Sequence, residues 1–171
     1  MSDGNEMLLG ELLDRVRNRF YGKYRGVVTD VDAATMRVKA SVPAVLPLAG
    51  TGWCMPCVPY AGPNVGILML PDVGSGVWIE FEGGDVSYPI WVGAYWHAGE
   101  VPSQASATVK SIVTQAGSLS MDGDAGSVTL ADTNSNTVVL DSDGVTSTSG
   151  SSQVAIGATG VNMNNGALEV S

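Results

Sequence analysis

Gly117-Ser118-Leu119-Ser120-Met121 returns nine residues later as Gly126-Ser127-Val128-Thr129-Leu130. Each copy is a turn residue followed by two apolar residues with one residue between them. Alternation of period two puts both apolar members on one face of a strand. The same spacing recurs in Val138/Leu140, Val154/Ile156, Val161/Met163 and Leu168/Val170. Gly, Asp, Asn and Ser fill the gaps as turn residues. Every aromatic residue lies between Phe20 and Trp96, and the 75 residues from His97 to Ser171 contain none. A segment of many thin strands without a bulky side chain has nothing to fill a private core. It buries one stripe per strand most naturally against copies of itself. Repeats this short fall below the roughly 20-residue turn of single-chain solenoids, which favours a threefold coil shared between chains. The expected trimer core is Val128, Leu130, Val138, Leu140, Val154, Ile156, Val161 and Met163.

Charge is distributed as unevenly as aromatics. The chain of 171 residues carries a net −9, from 8 basic and 17 acidic residues. Seven of the eight bases lie at or before Lys39, and only Lys110 lies beyond. An acidic rod with almost no Lys or Arg is a poor nucleic-acid ligand, because phosphate affinity comes mainly from cations. Anionic lipid head groups would repel it as well. No stretch approaches the roughly 18 apolar residues of a membrane helix. The start, Met1-Ser2-Asp3-Gly4-Asn5-Glu6, lacks the basic region of a secretory signal, so the expectation is assembly in the cytoplasm without a signal peptide.

Outside the tail, two further parts are predicted. Residues 5–21 read as a helix whose apolar face is Leu8, Leu9, Leu12, Leu13, Val16 and Phe20. Asn5 is its expected N-cap and Gly22 its expected end. That face packs on its own domain or docks a partner. Residues 23–96 read as β, with strands over 24–31, 36–42, 66–70, 77–81 and 90–95 separated by Gly, Pro and Asp turns. Five strands in that length suit a small closed barrel of the OB type. The expected architecture is all-β: an N-terminal helix (1–22), an OB-fold barrel (23–98) and an intertwined trimeric β-helix needle (99–171). Trp78, Phe81, Trp91 and Trp96 are expected to supply the barrel with large buried area.

The run Pro71-Asp72-Val73-Gly74-Ser75-Gly76-Val77-Trp78-Ile79-Glu80-Phe81-Glu82-Gly83-Gly84-Asp85-Val86-Ser87-Tyr88-Pro89-Ile90-Trp91-Val92-Gly93 resembles the OB domain of contractile-tail spike proteins. These are the phage baseplate V proteins, related to the type VI secretion spike. Gly74, Trp78, Phe81, Gly84, Asp85, Pro89, Trp91 and Gly93 carry the pattern, with Val86 where a proline is frequent. Pro59-Tyr60-Ala61-Gly62 resembles the family's short aromatic turn. The resemblance covers about residues 24–98; the tail matches in style more than in motif. Residue by residue, Gly83-Gly84-Asp85 reads as a turn tolerant of positive φ, and Pro89 opens a strand where its missing N–H costs little.

The resemblance implies a homotrimeric spike in the baseplate of a virion or related particle. It implies a hub protein at the helix and barrel end, and transient contact with a target cell envelope. It also implies a separate tip protein of the PAAR type, whose expected contacts are Leu168 and Val170. Relatives that hold iron at the tip do so on an H-x-H pair. This chain has no histidine after His97 and departs from that pattern.

Three chemistries suggested by short motifs lack the residues they need. Trp53-Cys54-Met55-Pro56-Cys57 looks like a thioredoxin-type redox site, but such a site needs its first Cys at a helix N-terminus. Pro56, Pro59 and Pro63 forbid a long helix there. Asp122-Gly123-Asp124-Ala125-Gly126 and Asp141-Ser142-Asp143-Gly144 lack the ligand set of a calcium loop and read as turns. No nucleophile has a base partner. Neither enzyme nor cofactor is therefore expected. The rival readings are an OB module that binds nucleic acid or glycan and is trimerised by its tail, and an enzyme built on Cys54 and Cys57.

Overall fold

The computed structural model describes residues 3–17, 19–164 and 166–170. The chain divides into two compact units, Met1–Glu100 and Val101–Ser171. In the first, α1 (Asp3–Arg17) precedes β1 (Tyr24–Asp32), β2 (Arg37–Ser41), β3 (Met55–Pro56), β4 (Ala61–Gly62), β5 (Val65–Gly66), β6 (Gly76–Phe81) and β7 (Pro89–Tyr95). Five strands form one sheet in the order β2-β1-β6-β7-β3. Its two ends meet where Val38 of β2 bridges Cys54, whose backbone N–H donates to the Val38 carbonyl at 2.8 Å. The β3–β7 pair is parallel, whereas β1–β2, β1–β6 and β6–β7 are antiparallel. A sheet closed in this order is the five-stranded Greek-key barrel of OB proteins.

Alternation along the strands selects the core. In β6, Val77, Ile79 and Phe81 point inward beside Val28, Val38, Val42 and Trp91. Trp91 also donates its indole N–H to the Met36 carbonyl at 3.1 Å, which satisfies the polar edge of a buried ring. Trp96 was expected in this core, but it is 64% exposed. It lies just past the end of β7, where no strand covers it. Trp78 is half-buried against Tyr95, with the Arg25 guanidinium over its ring.

The motif glycines each have a geometric reason. Gly74 has φ 94° and donates its N–H to the Val28 carbonyl at 2.9 Å. Gly93, φ 149°, sits where the β6–β7 register shifts by one residue. Gly84, φ 76°, is buried under the incoming N-terminal segment, and a Cβ there would lie 3.0 Å from the Arg19 Cβ. Its carbonyl accepts the Phe20 N–H at 2.8 Å, and Arg19 pairs with Asp85 at 3.1 Å. The Phe20 ring then packs on Tyr24 and Phe81. The Gly-Gly-Asp turn is thus the seat on which the chain enters the barrel.

Two predicted elements move. The helix begins at Asp3, so Asn5 lies inside it rather than capping it, and it ends at Arg17. Asn18 lies outside the described residues. Phe20 is off the helix because its backbone is committed to Gly84. The strand expected over 66–70 shrinks to Val65–Gly66, and β3 takes its place in the barrel. A run of consecutive apolar residues has no period to distinguish strand from arm.

The second unit is a single antiparallel meander. Its strands are β8 (Val109–Val113), β9 (Gly117–Asp122), β10 (Ser127–Asp132), β11 (Asn136–Asp141), β12 (Gly144–Ser149), β13 (Ser152–Gly157), β14 (Gly160–Met163) and β15 (Leu168–Val170). Each pairs with the next in sequence order. The backbone ladder therefore runs between consecutive strands of one chain, not alternately between chains as a shared coil would have it. Short turns produce this. At Gly144, φ 134°, any side chain would strike the Ile156 carbonyl of the neighbouring strand.

Candidate assembly surface

Cross-strand partners share a face of a sheet, so the register reads out the surface directly. One file across the meander is Lys110, Met121, Val128, Leu140, Val145, Ile156, Val161 and Val170. The file beside it is Ile112, Leu119, Leu130, Val138, Ser147, Val154, Met163 and Leu168. All eight residues expected in the trimer core stand in these two files. Leu168 and Val170 end them by register on β15; the Val170 side chain lies outside what the structure describes. The other face is mostly polar, as in the row Ser111, Ser120, Thr129 and Thr146, in which Val139 and Ala155 also stand.

Exposure is inverted relative to polarity. Leu130 is 55% exposed and Ile156 51%, while Thr129 and Thr146 on the polar face are half-buried. A concavity of about 640 Å³ is lined by Ile112, Leu119, Leu130 and Val138 together with polar residues such as Thr114, Asp132 and Asn136. Burying a Val, Leu or Ile fully stabilises by about 1.5–3 kcal/mol relative to exposure. Two files of such residues therefore represent on the order of 10 kcal/mol per chain that one chain alone forgoes. A contiguous apolar patch of this kind marks an interaction site.

Sequence reasoning missed Ile112 and Val145. The segment to Gln115 reads as an Ala/Ser transition, yet Lys110/Ile112 carries the same spacing as the other pairs. In β12, Ser147 occupies the second apolar position, so Val145 has no partner to reveal the strand.

The rim of the face is built from turn chemistry. Asp132 accepts backbone N–H bonds from Asn134 at 2.8 Å and Asn136 at 2.9 Å, and side-chain amide bonds from both. The side-chain bond from Asn136 leads in holding its pKa down to about 2, with that residue's backbone N–H next. Asp122 and Asp141 likewise cap their own turns, accepting from Asp124 and Asp143 at 2.9 Å each. These carboxylates are occupied as turn caps. Because the folded pKa lies below the unfolded value near 3.9, Asp132 stabilises above that value and the contribution fades as pH falls through about 2. Asp132→Ala should therefore lower the melting temperature at pH 7. The gap to the wild type should narrow steadily between pH 4 and pH 2, measured by circular dichroism. A gap independent of pH would contradict this role.

The cysteine pair has a different character from a redox site. Cys54 is buried in the closing seam of the barrel, 3.2 Å from the Thr51 hydroxyl, while Cys57 is exposed, and both are free thiols. Burial pushes the Cys54 thiol up, the opposite of what a nucleophilic thiolate needs. Among the described residues, no three His, Cys, Asp or Glu side chains gather as a metal site would require. No described helix is long and apolar enough to cross a membrane.

Comparison with known families gives two matches. Residues 24–96 match the type VI secretion system/phage-baseplate injector OB domain. Residues 111–169 match the phage baseplate V C-terminal trimerisation domain. No curated protein matches the chain.

Proposed function

Because the chain belongs to the phage baseplate V family of baseplate spike proteins, we propose that it is the trimeric central spike of a contractile injection device. Three tails close their apolar faces around a common axis as a β-helix needle. The observation that carries this reading is the pair of files running in register from β8 to β15, apolar at every position but Lys110 and Ser147. Each strand has a right-handed twist, so three flat meanders facing inward wind about one another. Eight strands spaced about 4.8 Å apart make a needle roughly 40 Å long.

The role is mechanical. Sheath contraction drives the needle into the target envelope, and no bond is made or broken in a substrate. A ladder joining every strand to the next along the axis resists compression, and the trimer core resists splaying. The barrels and N-terminal helices meet the hub protein. In the tail, Asp124 and Asp143 lie in turns and Asp122, Asp132 and Asp141 at strand ends, and net negative charge of this kind favours solubility.

Strand β15 is an outermost strand of the sheet among the described residues, and exposed sheet edges and apolar ends of this kind are normally covered. A PAAR-type tip protein on Leu168 and Val170 would cover them. Co-expression with a tip protein from the same gene cluster tests this. Deleting residues 166–171 should abolish co-purification while the trimer persists; unchanged co-purification would remove the tip from the proposal.

A further inference from the structure

From Ala40 to Pro71, between Lys39 and Asp72, the chain has no Asp, Glu, Lys, Arg or His. In a protein of net −9 this is the longest neutral run of the barrel unit. Its middle is an arm. Strands β4 and β5 form a two-stranded sheet of their own, extended by the Ile67 N–H donating to the Tyr60 carbonyl at 3.0 Å. Every residue from Pro59 to Met69 is exposed, and Leu68 reaches 76%. A lone two-stranded hairpin is marginal in water. One that presents Tyr60, Val65, Ile67, Leu68 and Met69 to solvent lacks its cover.

We propose that this arm packs on the barrel unit of a second copy of the chain, so that the barrels as well as the tails are joined. The inference rests on the trimeric reading and adds a second interface to it. Two features favour a copy over a different protein. Trimerisation through the tail holds the three barrels at high effective concentration, so a weak apolar contact between them is populated. Copies that are all acidic repel one another and can approach closely only through a surface without charge. A foreign partner would instead be steered by complementary charge, which the arm does not offer. Depletion of charge with enrichment in aromatics and Met is also the composition of an interface core.

The test is thiol labelling of the full-length protein in a Cys57→Ser background, where Cys54 is buried. Leu68→Cys and, independently, Met69→Cys are compared with Ala34→Cys in the exposed β1–β2 turn. Scattering mass is measured on the same samples. In a confirmed trimer, both arm thiols should react with a maleimide at least about tenfold more slowly than the turn thiol, because labelling requires the interface to open. Equal rates in a confirmed trimer would overturn the arm proposal alone. Arm thiols that react fast in the free trimer but slowly in assembled particles would overturn it too, and assign the arm to another baseplate protein. A monomeric mass would overturn the trimeric reading itself.

Discussion

Leu130→Asp should abolish the trimer. Leu130 stands in the second apolar file, opposite Leu119 on one side and Val138 on the other. In the assembled needle three aspartates would converge on one level of the axis. Each buried, unpaired carboxylate costs several kcal/mol, and the lost leucine adds about 2–5 kcal/mol per chain. Leu140→Asp, in the first file opposite Val128, should behave alike. Thr129→Asp is the decisive comparison because it is the next residue on the same strand, facing the other way. It meets Ser120 and Val139 across the sheet and should cost about 1 kcal/mol, the range of strand propensity. Size-exclusion chromatography with thermal melting would read all three. Equal losses at positions 129 and 130 would mean that the face has been assigned wrongly.

The second large effect concerns α1. Leu8, Leu9, Leu12, Leu13 and Val16 are all exposed in the chain. The helix therefore does not spend its apolar face on its own barrel, the first of the two alternatives open from sequence. The segment after it is fastened to the Gly-Gly-Asp turn through Arg19 and Phe20, so pulling on the helix pulls on the barrel. Replacing Leu9 and Leu13 by Ser should leave the mass of the purified trimer unchanged. Incorporation into particles, scored by immunoblot of purified baseplates, should fall at least about tenfold, since two buried leucines represent several kcal/mol of docking energy. Full incorporation of this double variant would show that the hub does not hold the spike by α1.

What could be read beforehand follows from which signals are local. The tail's faces were legible because period-two alternation survives in sequence, and its pairs fall on one face of one sheet. Its connectivity was not, since the same pairs suit strands shared between chains and strands paired within one. Turn geometry at positions such as Gly144 decides between these, and that needs the neighbouring strand. Strands β8 and β12 were missed for chemical reasons: Lys110 and Ser147 stand at apolar positions and break the pattern. In the barrel, the motif from Gly74 to Gly93 could be read because glycines and prolines there answer to local dihedral needs. The place of β3 could not. Two residues of strand carry no periodicity, and the bridge from Cys54 to Val38 is a tertiary fact. Trp96 was misjudged because hydrophobicity does not say where a strand stops.

In the proposed spike, three copies of this chain unite by burying the apolar faces of their tails. Static light scattering on the purified full-length protein, paired with hydrogen exchange across residues 109–170, tests it most directly. The trimer should show a mass three times the 17.6 kDa of the chain and slow exchange along β9 to β14. A monomeric mass with the same slow exchange would contradict it, because the tail would then hold its fold with its apolar files open to water.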